Sequence, residues 1–181
     1  MESLKIGLAL WSLGSTSTEE KLKDALSRAV EIGVRGVQPW IFDSVIDPDK
    51  CMGPQRKRMR ELINSHGLEI TGFCNQLIGP KDPGKPWPGS AFADPRDLRQ
   101  RIERTKKSLE LASDMGSPIT SLHPGEIPAD KSSKTYKLML ESCMELAKHA
   151  EEVGAIFCIE TGSGTCTGAQ GVNRRHRKRG A

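Results

Sequence analysis

The sequence is poor in aromatic residues, in long apolar runs and in paired cysteines. Aromatic side chains make up 4% of its 181 residues. No apolar run approaches the roughly twenty residues that a membrane-spanning helix requires, and the first residues lead straight into a strand-like segment rather than an export signal. The five cysteines form no CxxC pair and no even set, which disfavours a disulfide framework or a cysteine zinc site. We therefore expect a cytoplasmic protein with free thiols and no membrane partner.

The positive net charge belongs to the end of the chain. The formal charge is +4, from 27 basic and 23 acidic residues. Residues 163–181 contain no acid and five basic residues, so residues 1–162 retain 22 basic residues against 23 acids, a formal charge of −1. The sequence thus divides into a near-neutral domain, residues 1–162, and a basic tail, residues 163–181, which we expect to be disordered. The five basic residues are Arg174, Arg175, Arg177, Lys178 and Arg179.

A repeat organises the domain. Four times an amphipathic helical pattern ends at a glycine and a β-prone run begins within about two residues, a spacing typical of αβ connections. Alternating strands and helices predict an α/β fold with a parallel sheet. The connections that follow the strands are longer, as expected if the carboxyl ends of the strands carry the function. The glycines are 33, 67, 116 and 154, and the five predicted strands are 6–11, 34–40, 68–74, 118–123 and 155–160.

Local signals place two helix starts. Ser17 and Glu20 have the spacing of a capping box, which predicts Ser17 as the first cap. Asp94 followed by Pro95 predicts the start of a later helix in cap-then-proline order. Between them, the long connection 79–94 carries Trp87 and Phe92, which either cap a site or anchor the loop.

Polar residues stand where the predicted strands end. The apolar run 155–159 predicts a strand buried on both faces, and it ends in Glu160. His123 ends the fourth predicted strand, and Trp11, Gln38, Cys74 and Asn75 stand at the ends of others. Parallel α/β folds place their chemistry at this edge, so these side chains are candidates for a site, with packing at the rim as the alternative.

Four segments together resemble the xylose isomerase-like TIM barrel superfamily, in particular its sugar phosphate isomerase/epimerase branch. They are residues 6–12 (IGLALWS), 33–38 (GVRGVQ), 122–128 (LHPGEIP) and 158–162 (CIETG). Their order and spacing match the first five strands of that barrel. The resemblance implies a partial (β/α)8 TIM barrel of about five βα units, with parallel strands.

The resemblance also implies a function and a site. In that family the glutamate that ends strand five binds a divalent metal, Mn²⁺, Mg²⁺ or a similar ion, and serves as an acid/base; this role falls on Glu160. In the same family the histidine that ends strand four faces the substrate; this role falls on His123. Trp11, Gln38 and Asn75 would line the pocket for a sugar, sugar phosphate or polyol. Moving a proton beside a sugar carbonyl requires a base near the carbon and positive charge near the oxygens.

The chain departs from the family after Glu160. The family supplies further metal ligands, an Asp, a His and a Glu, from strands six to eight, and no counterpart follows here. We therefore expect the chain to be inactive or weakly active and not to bind metal tightly. Codons can be chosen for residues 163–181 whose +1 frame encodes an amphipathic helix, which gives the hypothesis of a frameshifted truncation. The gene sequence beyond the Glu160 codon tests it, because an empty +1 frame would end the idea.

Three alternatives remain open from the sequence. The basic tail could bind nucleic acid, although residues 1–162 carry no basic excess and nucleic acid is not the expected partner. The half-barrel could assemble with another chain, because open sheet edges favour self-association. A flavodoxin-like or Rossmann fold is the structural alternative, but no GxGxxG follows the first strand.

Overall fold

The computed structural model describes residues 5–77 and 91–160. Six short strands alternate with four helices in these two ranges. The strands are β1 (Gly7–Ala9), β2 (Gly36–Gln38), β3 (Glu69–Ile70), β4 (Phe73–Cys74), β5 (Ile119–Leu122) and β6 (Ile156–Ile159). The helices are α1 (Glu19–Ile32), α2 (Pro54–Ser65), α3 (Leu98–Asp114) and α4 (Lys134–Glu152), and a 3₁₀ helix (Leu10–Leu13) follows β1.

All strand pairs are parallel, which confirms the predicted α/β fold. The strands form two three-stranded sheets, in the orders β1-β2-β3 and β4-β5-β6. A parallel bridge between Trp40 and Cys74 joins the sheets, with Cys74 N donating to Pro39 O at 3.0 Å. The strands therefore succeed one another in chain order, as they do in a βα barrel.

The predicted third strand, 68–74, is divided into β3 and β4, which corrects the expectation of one continuous strand. Between them, Gly72 has φ +152°, a value that side-chain-bearing residues rarely adopt. A Cβ there would lie 3.3 Å from the Cβ of Ile119. The glycine thus permits both the break and the close approach of β5.

Both predicted helix starts are wrong, the first by one residue and the second by three. The cap of α1 is Thr18 rather than Ser17, and its hydroxyl accepts from Lys21 N at 3.3 Å. Helix α3 begins at Leu98 rather than after Asp94, because Asp94 accepts the backbone N–H and the side chain of Arg96 in a local turn. Short polar side chains make such turns readily, and here the turn competes with the helix.

Alternation along the strands separates a helix-packed face from an inner face. Val37, Phe73 and Leu122 are fully buried within the apolar core beneath the helices. Thr120 also faces this side, where its hydroxyl donates to Ser108 O of α3. Their strand neighbours point to the opposite, inner face. Those neighbours are Gln38, Cys74 and Ser121, and Cys158 shares their face because it is in register with Ser121.

The last strand is an edge, so the prediction that it is buried on both faces is wrong. Ile156 is 52% exposed and Ile159 is 43% exposed. β6 pairs with β5 on one side, and within residues 5–77 and 91–160 no strand pairs with its other side. The apolar run therefore has the composition of a buried strand, although β6 is partly exposed at this edge. In those same residues, no helix is both long and apolar enough to cross a membrane.

Candidate functional site

Glu160 and His123 meet at the carboxyl ends of the last two strands. β6 is held in register by the Glu160 N–H, which donates to Leu122 O at 2.9 Å, so the residue after each strand lies beside the other. His123 Nε2 and Glu160 Oε2 are 3.7 Å apart, and both side chains are about half exposed. This distance is longer than a hydrogen bond. An acid/base pair is therefore open to solvent at the strand edge.

A row of polar side chains continues from this pair across the inner face. Gln38 Nε2 donates to Ser121 Oγ at 3.3 Å, which links β2 to β5 across the intervening β4. Cys74 lies between them in the sheet, in register with Ser121. Burial, reinforced by the negative charge of Glu160, raises the pKa of the Cys74 thiol to about 11 despite a hydrogen bond with Ser121. Cys74 is thus a neutral neighbour of the carboxylate at physiological pH.

Two indole rings stand at the other end of the same edge. Trp11, in the 3₁₀ helix after β1, and Trp40, two residues after β2, pack edge-to-face with ring centroids 5.2 Å apart. Trp11 is 37% exposed, and the buried N–H of Trp40 has no hydrogen-bond partner within residues 5–77 and 91–160. Aromatic faces of this kind stack on the apolar C–H faces of sugars. The two rings therefore form an aromatic wall at this end of the edge.

The structure does not bring Asn75 to this group. Its side chain is 2% exposed and turns toward α3, where Nδ2 donates to Thr105 Oγ1 at 3.3 Å. Asn75 follows Cys74 directly, so alternation places it on the helix-packed face. Phe92 is fully buried in the core beside α3, which favours its role as an anchor. Trp87 lies outside the described residues.

The sequence interpretation omitted Ser121 and Trp40 from the site. Both follow from the two-residue period of a strand. Ser121 lies two residues before His123, and Trp40 lies two residues after Gln38, so each shares the inner face with a residue that had been identified. Considering only the residue at the end of each strand does not identify Ser121 and Trp40, because neither occupies that position.

The described residues do not complete a metal site. Among residues 5–77 and 91–160, no group of three or more His, Cys, Asp or Glu side chains could hold an ion. Glu160 and His123 offer one carboxylate and one imidazole, whereas divalent cations such as Mg²⁺ and Mn²⁺ are held by several oxygen-rich ligands. A divalent metal of the family therefore does not fit this donor set as it stands.

Comparison with family models gives one match. Residues 26–172 match the model described as xylose isomerase-like TIM barrel. The match covers more than half of the chain and includes β2 to β6 with all of the inner-face residues discussed above except Trp11. No curated protein matches the sequence.

Solved structures with this fold extend well beyond the length of the chain. A xylose isomerase domain protein from Planctomyces limnophilus superposes with a TM-score of 0.70 and 18% identity, over 98% of this chain and 58% of the other. L-ribulose 3-epimerase gives 0.68 and 15%, over 94% and 56%. A sugar phosphate isomerase/epimerase from Parabacteroides distasonis gives 0.57 and 15%, over 87% and 51%. The chain thus spans a little more than half of these relatives.

Proposed function

We propose, on the premise that this chain belongs to the xylose isomerase-like TIM barrel family, that it carries the first part of a sugar or sugar phosphate isomerase/epimerase. The observation that carries the proposal is the Glu160–His123 pair, with Nε2 and Oε2 3.7 Å apart on the inner face. Both residues come from consecutive strands at the edge where βα barrels carry out their chemistry.

The chemistry assigned to this pair is proton transfer beside a carbonyl. The Glu160 carboxylate takes the proton from the carbon next to the substrate carbonyl, and it returns a proton to that carbon or to its neighbour. His123 donates a hydrogen bond to the substrate oxygen, where negative charge develops. Because both side chains are about half exposed, neither needs a large movement to meet a substrate.

Gln38 and the two tryptophans are the proposed substrate contacts. Ser121 accepts a hydrogen bond from the Gln38 amide nitrogen, which leaves the amide oxygen to accept from a sugar hydroxyl. Trp11 and Trp40 supply the apolar wall. Asn75 stays an expected contact from the sequence, but its buried position against α3 argues for a structural role.

The activity is tested by hydrogen exchange into the substrate. The chain is incubated in D₂O with a panel of ketopentoses, ketohexoses and their phosphates, and deuterium at the carbon next to the carbonyl is followed by NMR. We expect slow exchange that Glu160→Gln abolishes and that Glu141→Gln, on the exposed side of α4, leaves intact. Equal exchange with the Glu160 variant would contradict the assignment of the base.

Metal dependence is proposed only for a complete barrel. Divalent ions polarise substrate oxygens when bound, but the donor set described here is incomplete. In a titration with Mn²⁺ alone, we expect no tight binding and no difference between the chain and Glu160→Gln. Tight binding that depends on Glu160 would show that this chain holds the ion by itself.

The remaining predictions have unequal support. Nucleic-acid binding relied on residues 174–179, which lie outside the described residues, and no described feature favours it. The cytoplasmic location stays a prediction. Self-association through open sheet edges is supported by the exposure of Ile156 and Ile159 at β6, and we propose it as a second property of the chain.

A further inference from the structure

Among the described residues, exposed large apolar side chains lie at both ends of the row of strands, near β1 and α1 and on α4 and β6. In the described residues, α2 and α3, which have a helix on each side, carry no large apolar side chain that is mostly exposed. On α4 and β6, four large apolar side chains are between 43% and 64% exposed, and Met144, at 64%, is the most exposed of the four. The α4/β6 end therefore has the composition of an interface. The four residues are Leu140, Met144, Ile156 and Ile159.

Besides its core-facing side, α4 has one side that contacts α3 and one side that faces away from α3. Glu145 and His149 contact α3, where Glu145 Oε1 accepts from Lys106 Nζ at 2.6 Å and His149 pairs with Glu110 at 3.2 Å. On the side away from α3, five apolar or weakly polar residues recur at intervals of three and four, the spacing of one helix face. We call this side the α4 end face. It comprises Tyr136, Leu140, Cys143, Met144 and Ala147.

Neither the tail nor the opposite end of the molecule suits this face. Residues 163–181 contain no Leu, Ile, Phe, Met or Trp and five basic residues, so they offer little apolar surface to cover it. At the β1 end, Ile6 and Ile32 are also exposed, at 59% and 60%, but exposed Lys21 and Arg28 lie on the same side of α1 as Ile32. Burying these charges against an apolar surface would cost desolvation free energy, because that surface offers them no partner. Among the surfaces that the structure describes, the same face of another copy matches the α4 end face without placing Lys21 or Arg28 against it.

Charges at the two ends of the face are complementary in an antiparallel pair. If two α4 helices cross antiparallel about a two-fold axis at Met144, each residue seven positions before the axis faces one seven positions after it. Those residues are Lys137 and Glu151, both exposed. The two-fold axis produces this pairing twice, as expected of an isologous interface.

We propose that two copies of this chain associate through the α4 end face, with their α4 helices antiparallel about a two-fold axis near Met144. The proposal refines the self-association proposed above, because it places the contact on a helix face rather than on the strand edges, and it does not depend on the proposed catalysis.

The first test measures the mass of the full chain in solution. Size-exclusion chromatography with light scattering, at tens of micromolar, is expected to give a dimer. Met144→Lys is expected to weaken the association at least tenfold, since it buries a charge at the axis in both copies. Met52→Lys is the matched control, because Met52 is exposed to a similar degree but lies in the connection before α2. Circular dichroism checks that both variants fold.

The second test is a charge exchange that only the antiparallel pairing explains. Lys137→Glu or Glu151→Lys alone is expected to weaken the dimer roughly fivefold, and the double variant is expected to restore it. A monomeric chain would overturn the proposal and would leave the face to further βα units of a longer protein. A dimer indifferent to Met144→Lys would overturn it in favour of the strand edges, and failure of the double variant to recover would refute the antiparallel pairing.

Discussion

Two connections at the carboxyl edge of the sheet differ in how they are held. The β2–α2 connection, residues 39–53, carries Trp40 and is fastened from below: Arg104 of α3 donates to Ile41 O at 2.9 Å and to both carboxylate oxygens of Asp47. The β5–α4 connection, residues 123–133, carries His123 and is mostly exposed beyond Pro124. Its backbone is tied to the rest of the molecule by Phe92 N, which donates to Pro124 O at 3.0 Å.

The difference separates two parts of a binding site. The aromatic wall is preorganised by contacts that this chain supplies itself, including a buried hydrogen bond between Thr16 and Ser44 that joins the connections after β1 and β2. The acid/base pair stands at an open edge with solvent on one side. Under the function proposed above, the apolar contact with a substrate is therefore fixed, whereas the proposed acid/base pair lies at the open edge.

The largest expected effect on stability comes from removing Arg104, whose contacts hold the connection that carries Trp40. Arg104→Ala leaves the buried carboxylate of Asp47 without its partner, and breaking a buried pair costs about 3–5 kcal/mol. We expect this loss in the free energy of unfolding by urea, with loss of the Trp11–Trp40 signal in near-ultraviolet circular dichroism. The control is Arg99→Ala, an exposed ion-paired residue on the same helix, whose loss costs at most about 1 kcal/mol. Equal costs would mean that the Arg104 network does not hold the wall.

A smaller effect tests the packing beneath the inner face. A Cβ at Gly36 would lie 2.5 Å from Thr71 Cγ2 and 3.1 Å from Glu69 O. Gly36→Ala is therefore expected to lower the unfolding free energy by about 1–3 kcal/mol. Adding Thr71→Ser removes the opposing methyl group and keeps a hydroxyl, so the double variant should recover part of the loss. If Thr71→Ser gave no recovery, the clash with the strand backbone would be the whole cause.

In the turn before α3, the ion pair of Asp94 with Arg96 is expected to contribute about 1 kcal/mol to the free energy of unfolding, in a pH-dependent way. Hydrogen bonds from Arg96 lower the pKa of Asp94 from 3.8 to about 2. Because the folded-state pKa is lowered, this contribution is complete above the unfolded pKa near 3.8 and is lost as the pH falls through about 2. Asp94→Asn should therefore reduce stability at pH 6 and leave it nearly unchanged at pH 2, as measured by thermal unfolding. A loss of equal size at both pH values would exclude the charge as its source.

The smallest effect on stability is expected at the acid/base pair. Glu160 and His123 are about half exposed and 3.7 Å apart, so Glu160→Gln and His123→Asn should each change the unfolding free energy by less than about 0.5 kcal/mol. The same variants should abolish or reduce exchange into the substrate. A large loss of stability would assign the pair a structural role. The pair would then resemble the connection held by Arg104 instead of differing from it.

Much of the fold could be predicted from the sequence because its signals are local. Amphipathic helices that end at glycines, followed by short apolar runs, fix the order of the strands and their parallel direction. Gly33 illustrates the signal: it has φ +86°, and its N–H bonds to the last turn of α1. The helix starts were less predictable, since Ser17 and Thr18 are both competent caps and Asp94 was engaged in a turn with Arg96.

The site was predictable where position along a strand decides it. Glu160 and His123 end consecutive strands, so their meeting follows from the parallel register. Asn75 shows the limit of this reasoning: it also ends a strand, yet one step of alternation turns its side chain into α3. Which of two successive residues faces inward depends on the register with neighbouring strands, and no local pattern at 73–75 encodes it.

The sequence by itself determined the alternation of strands and helices, the family and the carboxylate at the end of β6, because each depends on the order of residues along the chain. Only the tertiary structure decided that Arg104 pairs with Asp47 across 57 positions, that Trp11 packs on Trp40, and that one side of α4 carries exposed apolar side chains among the described residues. These features depend on which elements become neighbours in space, and packing sets that once the helices close over the sheet.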